Sequence, residues 1–153
     1  MDKEDILREL LEELLKRLEF DYNKILINEE DGEFEINIES DSPSLLIGYH
    51  GLNIQALQHV LKVLCWQKCE NESFTIKLDV DGYRARQEEN VLALANRKIE
   101  KVRQNGRSQH LPPMSPYFRK KVHTLCMGVG YEDVETLSQG EGERRHIVIK
   151  ARS

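Results

Sequence analysis

The stretch Leu45-Leu-Ile-Gly-Tyr-His-Gly-Leu-Asn-Ile54 decides the reading of this chain. Gly48 and Gly51, three apart, let the backbone turn sharply and approach a ligand with no Cβ in the way. On the N-terminal side, Ser42-Pro43 pairs an N-cap residue with a first-turn proline and predicts a short helix over 43–47. On the C-terminal side, Ile54, Leu57, Val60, Leu61 and Leu64 follow helical spacing and predict a helix from 52 to 68. The start of that second helix offers free N–H groups and the positive end of a dipole, and both favour phosphate. An isolated G-x-x-G is a weak signal, because a plain helix–helix turn gives the same pattern.

Further outward, Ile6, Leu7, Leu10, Leu11, Leu14, Leu15 and Leu18 predict an amphipathic helix over 3–18. The run Lys24-Ile-Leu-Ile-Asn28, the turn Glu29-Glu-Asp-Gly32 and the alternating Glu33-Phe-Glu-Ile-Asn-Ile-Glu39 predict an antiparallel hairpin. Ser73-Phe-Thr-Ile-Lys-Leu-Asp79 alternates as a third strand. Asp81-Gly82 separates two expected domains, 1–81 and 82–153. Beyond it, Val91, Ala95, Ile99 and Val102 form the stripe of a long helix over 83–104, with Arg86, Arg97 and Lys101 opposite and Asn105-Gly106 at its end. Ser115-Pro116 opens another helix, whose apolar face is Phe118, Val122, Leu125 and Cys126. Short strands over 134–137 and 145–150 flank Gln139-Gly-Glu-Gly142. The fold class read here is α+β.

The 153 residues carry a net charge of −5 that hides an asymmetry. Residues 1–83 hold 8 Lys and Arg against 19 Asp and Glu, a balance of −11. Residues 84–153 hold 14 against 8, a balance of +6, which suits a polyanion or simply keeps that half soluble. No run of 18 apolar residues exists, and the start Met-Asp-Lys-Glu-Asp is acidic where a signal peptide is basic, so a cytoplasmic protein is expected. Three cysteines, Cys65, Cys69 and Cys126, exclude a disulfide framework and read as reduced, partly buried thiols. The five histidines are scattered, with no nucleophile–base or metal-ligand spacing. No catalytic residue, metal site or cofactor is therefore expected.

A second constellation lies in Pro113-Met-Ser-Pro-Tyr-Phe-Arg-Lys-Lys-Val-His123. Arg119 and His123, at i and i+4, share one helix flank, with Lys120 and Lys121 beside them. A planar guanidinium suits phosphate and stacks on bases, and the imidazole adds an aromatic donor. A surface arginine near a satisfied, half-buried histidine would show the same spacing.

The order helix–strand–strand–helix–GxxG–helix–strand over 3–79 resembles the prokaryotic (type II) KH fold. In that fold the loop clamps a short single-stranded backbone. The resemblance implies RNA contact at Gly48, Tyr49, His50 and Gly51. Many KH loops carry Lys or Arg between the glycines. Here Tyr49 offers stacking and His50 a donor that strengthens once protonated, with no fixed charge. The alternative is that this acidic half contacts protein. Leu-Pro-Pro-Met-Ser-Pro-Tyr, Arg-x-x-x-His, then Val-Glu-Thr-x-Ser-x-Gly-Glu-Gly-x-x-Arg and Ile-Val-Ile-Lys resemble the R-x-x-x-H ("R-three-H") domain over 84–152. That is a small α/β single-stranded nucleic-acid-binding module with a short antiparallel sheet. Its signature residues carry over to Arg119 and His123, and Lys120, Arg144 and Arg145 join them as expected contacts.

KH followed directly by this module is similar to the Jag family, also called SpoIIIJ-associated or KhpB proteins. The resemblance implies a non-catalytic bacterial protein that binds single-stranded RNA, or single-stranded DNA. It implies post-transcriptional regulation tied to cell division, envelope growth and cell shape, or sporulation. It also implies a smaller KH-only protein partner and a functional link to a YidC-type membrane insertase, without membrane insertion of this chain. Family members often carry a further N-terminal Jag domain, whereas this sequence starts at the KH helix.

Overall fold

The computed structural model describes residues 2–72 and 74–153 and divides into two units between Arg84 and Ala85. In the first unit, helix α1 (Lys3–Arg17) is capped by the Asp2 carboxylate, which accepts from the Asp5 N–H at 2.8 Å. Strands β1 (Lys24–Glu30) and β2 (Glu33–Glu39) form the expected antiparallel hairpin. Helices α2 (Pro43–Ile47) and α3 (Leu52–Lys68) follow, separated by a single 3-10 turn at Tyr49–Gly51. Strand β3 (Thr75–Val80) then pairs in parallel with β2, giving the sheet order β1-β2-β3. Of the strand read over 73–79, Ser73 lies outside the described residues.

One apolar core holds this unit together. Leu7, Leu11 and Leu15 of α1 and Leu57, Leu61 and Cys65 of α3 meet Phe34, Ile36 and Ile38 of β2 and Ile76, Leu78 and Val80 of β3. The alternation of β2 is what makes this possible, since period two puts its three large residues on one face. Each such side chain contributes about 1.5–3 kcal/mol on leaving water. The exposed edge of β3 is blunted by side chains. Gln58 Oε1 accepts from the Leu78 N–H at 2.9 Å, and Asp79 Oδ1 from the Val80 N–H at 2.9 Å.

The second unit takes its core from helix α4 (Tyr83–Asn105), whose Val91, Ala95, Ile99 and Val102 are all buried, and from helix α5 (Pro116–Cys126), with Phe118, Val122 and Cys126 buried. Strands β5 (Val134–Gln139) and β6 (His146–Ala151) are antiparallel. A two-residue strand, β4 (Gln109–His110), adds to the other side of β6, so the order is β4-β6-β5. Sequence reading finds only two strands here, because two residues cannot display a period. Ser42 and Ser115 do occupy N-cap positions, but neither side chain makes a capping hydrogen bond. The prolines at the first helical position set those two starts.

Candidate nucleic-acid interface

The glycine loop of the first unit is built by backbone geometry. Gly48 has φ +72°, and a Cβ there would sit 2.5 Å from Cγ of Asn53. Asn53 Nδ2 donates to the Leu45 carbonyl at 2.7 Å, stapling the end of α2 to the start of α3. Gly51 has φ +78°, and a Cβ there would meet the Tyr83 ring at 3.2 Å. His50, between them, is also left-handed at φ 52°. The tight path turns both variable side chains outward. Tyr49 is 63% exposed, and its ring meets the exposed His50 ring edge-on at 4.1 Å. Leu45 and Leu52 are also exposed beside the loop. The result is an aromatic and apolar surface that carries no fixed positive charge.

The second unit concentrates charge instead. Arg119, on α5, is half-buried, and its guanidinium is pushed below its ordinary value first by burial and then by Arg145. Among the described residues Arg119 makes no ion pair. A guanidinium repelled by its neighbour and lacking a carboxylate is suited to an anion. Arg145 is fixed in turn, because its Nη1 donates to the Gly140 carbonyl at 2.8 Å. Gly140 has φ +89°, and a Cβ there would lie 2.9 Å from the Arg144 carbonyl oxygen. The turn can therefore close only around glycine. Arg144 and Lys120 are exposed.

His123 lies one helical turn from Arg119, yet its ring faces the sheet. Nδ1 is 2.5 Å from Thr136 Oγ1 and Nε2 is 3.2 Å from Ser138 Oγ. Burial, then Arg119, then Arg145 push its pKa down, so the ring stays neutral near pH 7. A neutral imidazole offers one donor and one acceptor, and hydroxyls can answer both. Thr136 and Ser138 stand two apart on β5 and share a face, so together they tie α5 to the sheet. The sequence reading missed Asn53 and the Thr136 contact. The alternation of Thr136 and Ser138 was the available signal for the latter.

These features define a class: a KH-like α/β unit with an outward GxxG loop, followed by an R-x-x-x-H unit with an uncompensated arginine pair. The family described as "KhpA/KhpB, KH domain" matches residues 4–80, and the R-three-H domain family matches residues 89–151. The chain belongs to the KhpA/KhpB KH-domain family. It is similar to "RNA-binding protein KhpB" of Clostridium symbiosum, 34% identical over 80% of this chain and 54% of that protein. The protein of that name from Bacillus subtilis is 29% identical over 82% of this chain and 60% of its own length. That from Streptococcus pneumoniae is 27% identical over 84% of this chain and 36% of its own length. The chain thus spans about half the length of the first two relatives. No helix of the described residues is long and apolar enough to cross a membrane.

Proposed function

We propose that this chain binds single-stranded RNA without catalysing a reaction on it, through two modules at 1–81 and 82–153. The observation that carries the reading is Arg119, a half-buried arginine with no ion pair among the described residues, whose guanidinium is pushed below its ordinary value by burial and then by the charge of Arg145. Arg119 and Arg145 take phosphate oxygens, with Arg144 and Lys120 adding charge around them. His123 holds α5 on β5 beneath that pair. Gly48, Tyr49, His50 and Gly51 accept a second short segment, chiefly by stacking on Tyr49. Two linked sites gain from effective concentration on one strand. Support comes from the relatives' name, RNA-binding protein, and from the basic balance of residues 84–153.

The finer reading proposed with it is a cytoplasmic bacterial post-transcriptional regulator of division, envelope growth or sporulation. A KH-only protein partner and a link to a YidC-type insertase belong to that reading and rest on the family resemblance. A second reading treats the KH unit as a protein-contact module, favoured by its −11 balance and its uncharged loop. Filter binding of the full chain to single-stranded RNA at about 50 and about 200 mM salt tests the RNA reading of the chain. Retention that falls steeply with salt supports RNA binding. No retention at the lower salt leaves only the protein-contact reading.

A further inference from the structure

The second sheet has a second face, turned away from α5, whose outer positions are exposed. Thr136 and Ser138 meet His123 of α5, so the opposite parity of β5, Leu137 and Gln139, points away from that helix. Leu137 is 36% exposed and Gln139 is exposed. The pairing register aligns His110, Val148 and Leu137 in one row across the three strands, and His146 beside Gln139 in the next. Two imidazoles, 36 residues apart in sequence, therefore meet on this face. His110 Nδ1 lies 3.0 Å from His146 Nε2, with ring centroids 5.2 Å apart.

Hydrogen bonds fix the orientation of both rings. A carbonyl can only accept, so His146 Nδ1, 2.9 Å from the Arg144 carbonyl oxygen, carries its proton. In the neutral pair His146 Nε2 is then bare and accepts from His110 Nδ1–H. The rings form a tilted, pre-set ledge in register with buried Val148 and exposed Leu137. The only carboxylate in register on this face of the described strands, Glu135, is paired with Lys150 at 3.3 Å. Arg144 is exposed at the near end and makes no ion pair among the described residues.

We propose that this ledge is a stacking platform for an unpaired base of a single-stranded RNA, a subsite separate from Arg119 and from the glycine loop. It rests on the reading of the second unit as a single-strand binder. Arg145 and His146 are consecutive in extended chain, so they project to opposite faces. A strand rounding this end of the sheet would leave a phosphate at Arg145 and Arg119 and lay a base on His146 and His110. Flat sheet faces bearing aromatic rings recognise single strands in this way, and histidine rings serve as stacking partners.

The test uses the full chain and a fluorescein-labelled single-stranded RNA of ten adenosines, read by anisotropy. His110→Ala should weaken binding about fivefold, the lower end of the range for one stacked base at tenfold per 1.4 kcal/mol. Its salt slope should not change, because no phosphate contact is lost. His110→Phe, which keeps a stacking ring but cannot bond His146, should bind within about twofold of the parent. The ring protons of His110 and His146 should shift upfield in NMR spectra when the RNA is added. Unchanged affinity in His110→Ala, or a loss that Phe does not restore, overturns the platform. Arg119→Ala in the same assay reports on the underlying reading: if it loses affinity while His110→Ala does not, only the platform is wrong.

Discussion

His123 gives a quantitative test of how α5 is held. Both ring nitrogens are engaged, at 2.5 Å with Thr136 and 3.2 Å with Ser138. Each neutral hydrogen bond contributes about 0.5–1.5 kcal/mol net, so His123→Ala should cost about 1–3 kcal/mol before any loss of packing. His123→Asn places an amide near the position of Nδ1. It should keep the Thr136 bond, lose only the longer one, and cost about 0.5–1.5 kcal/mol. The pH dependence follows from the lowered pKa of the native ring. The unfolded chain takes up its proton as pH falls through about 6.5, before the native ring does. The stability from this group is thus full above that pH, declines below it, and is lost once pH passes the lower native value. Amide cross-peaks of α5 and β5 followed by NMR through urea titrations, at about pH 7.5 and about pH 5.5, report on this unit alone. The expected order is parent, then Asn, then Ala, with Ala losing less stability than the parent on acidification. Equal stability of all three proteins, or an unchanged acid loss in Ala, refutes the clamp.

Other expectations follow from the same geometry. Gly48→Ala forces a Cβ into Asn53 at a left-handed φ, and should cost about 1–3 kcal/mol in urea denaturation of the first unit, followed by Trp66 fluorescence. Tyr49→Asp combined with His50→Asp should leave that denaturation curve unchanged, because both side chains face solvent. The same pair should weaken binding to oligonucleotides long enough to reach both modules, and leave very short ones unaffected. Gly140→Ala should displace the Arg144 carbonyl and release Arg145, lowering RNA affinity, by anisotropy, without unfolding α5 as judged by its amide shifts.

Much of the fold was legible because it is written in local periods. The alternation of Phe34, Ile36 and Ile38 and the helical stripe of Val91, Ala95, Ile99 and Val102 each name a buried face without reference to anything distant. Strand β4 was not legible, since it exists only through its pairing with β6. The G-x-x-G spacing located the turn, but the reason Gly48 must be glycine is Asn53, which no pattern singles out. Arg119 and His123 were visible as an i, i+4 pair, and their different surroundings were not. Arg119 is half-buried and feels the charge of Arg145, whereas His123 meets two hydroxyls, and these partners arrive from distant strands or turns. The His110–His146 contact is the extreme case, formed by two residues that look scattered in the sequence.

Arg119→Ala, measured against salt with a single-stranded RNA that fills the second unit, tests the central claim most directly. The side chain makes no ion pair among the described residues but is half-buried, so its removal should cost no more than about 1 kcal/mol of stability, the centre of the range for point substitutions. Loss of a charge-assisted phosphate contact should weaken binding by about 1–3 kcal/mol. The slope of log K against log salt should flatten by about 0.7, the single-strand value for one phosphate. A folded Arg119→Ala protein that binds with parental affinity and parental salt slope would contradict the assignment of this arginine to the RNA backbone.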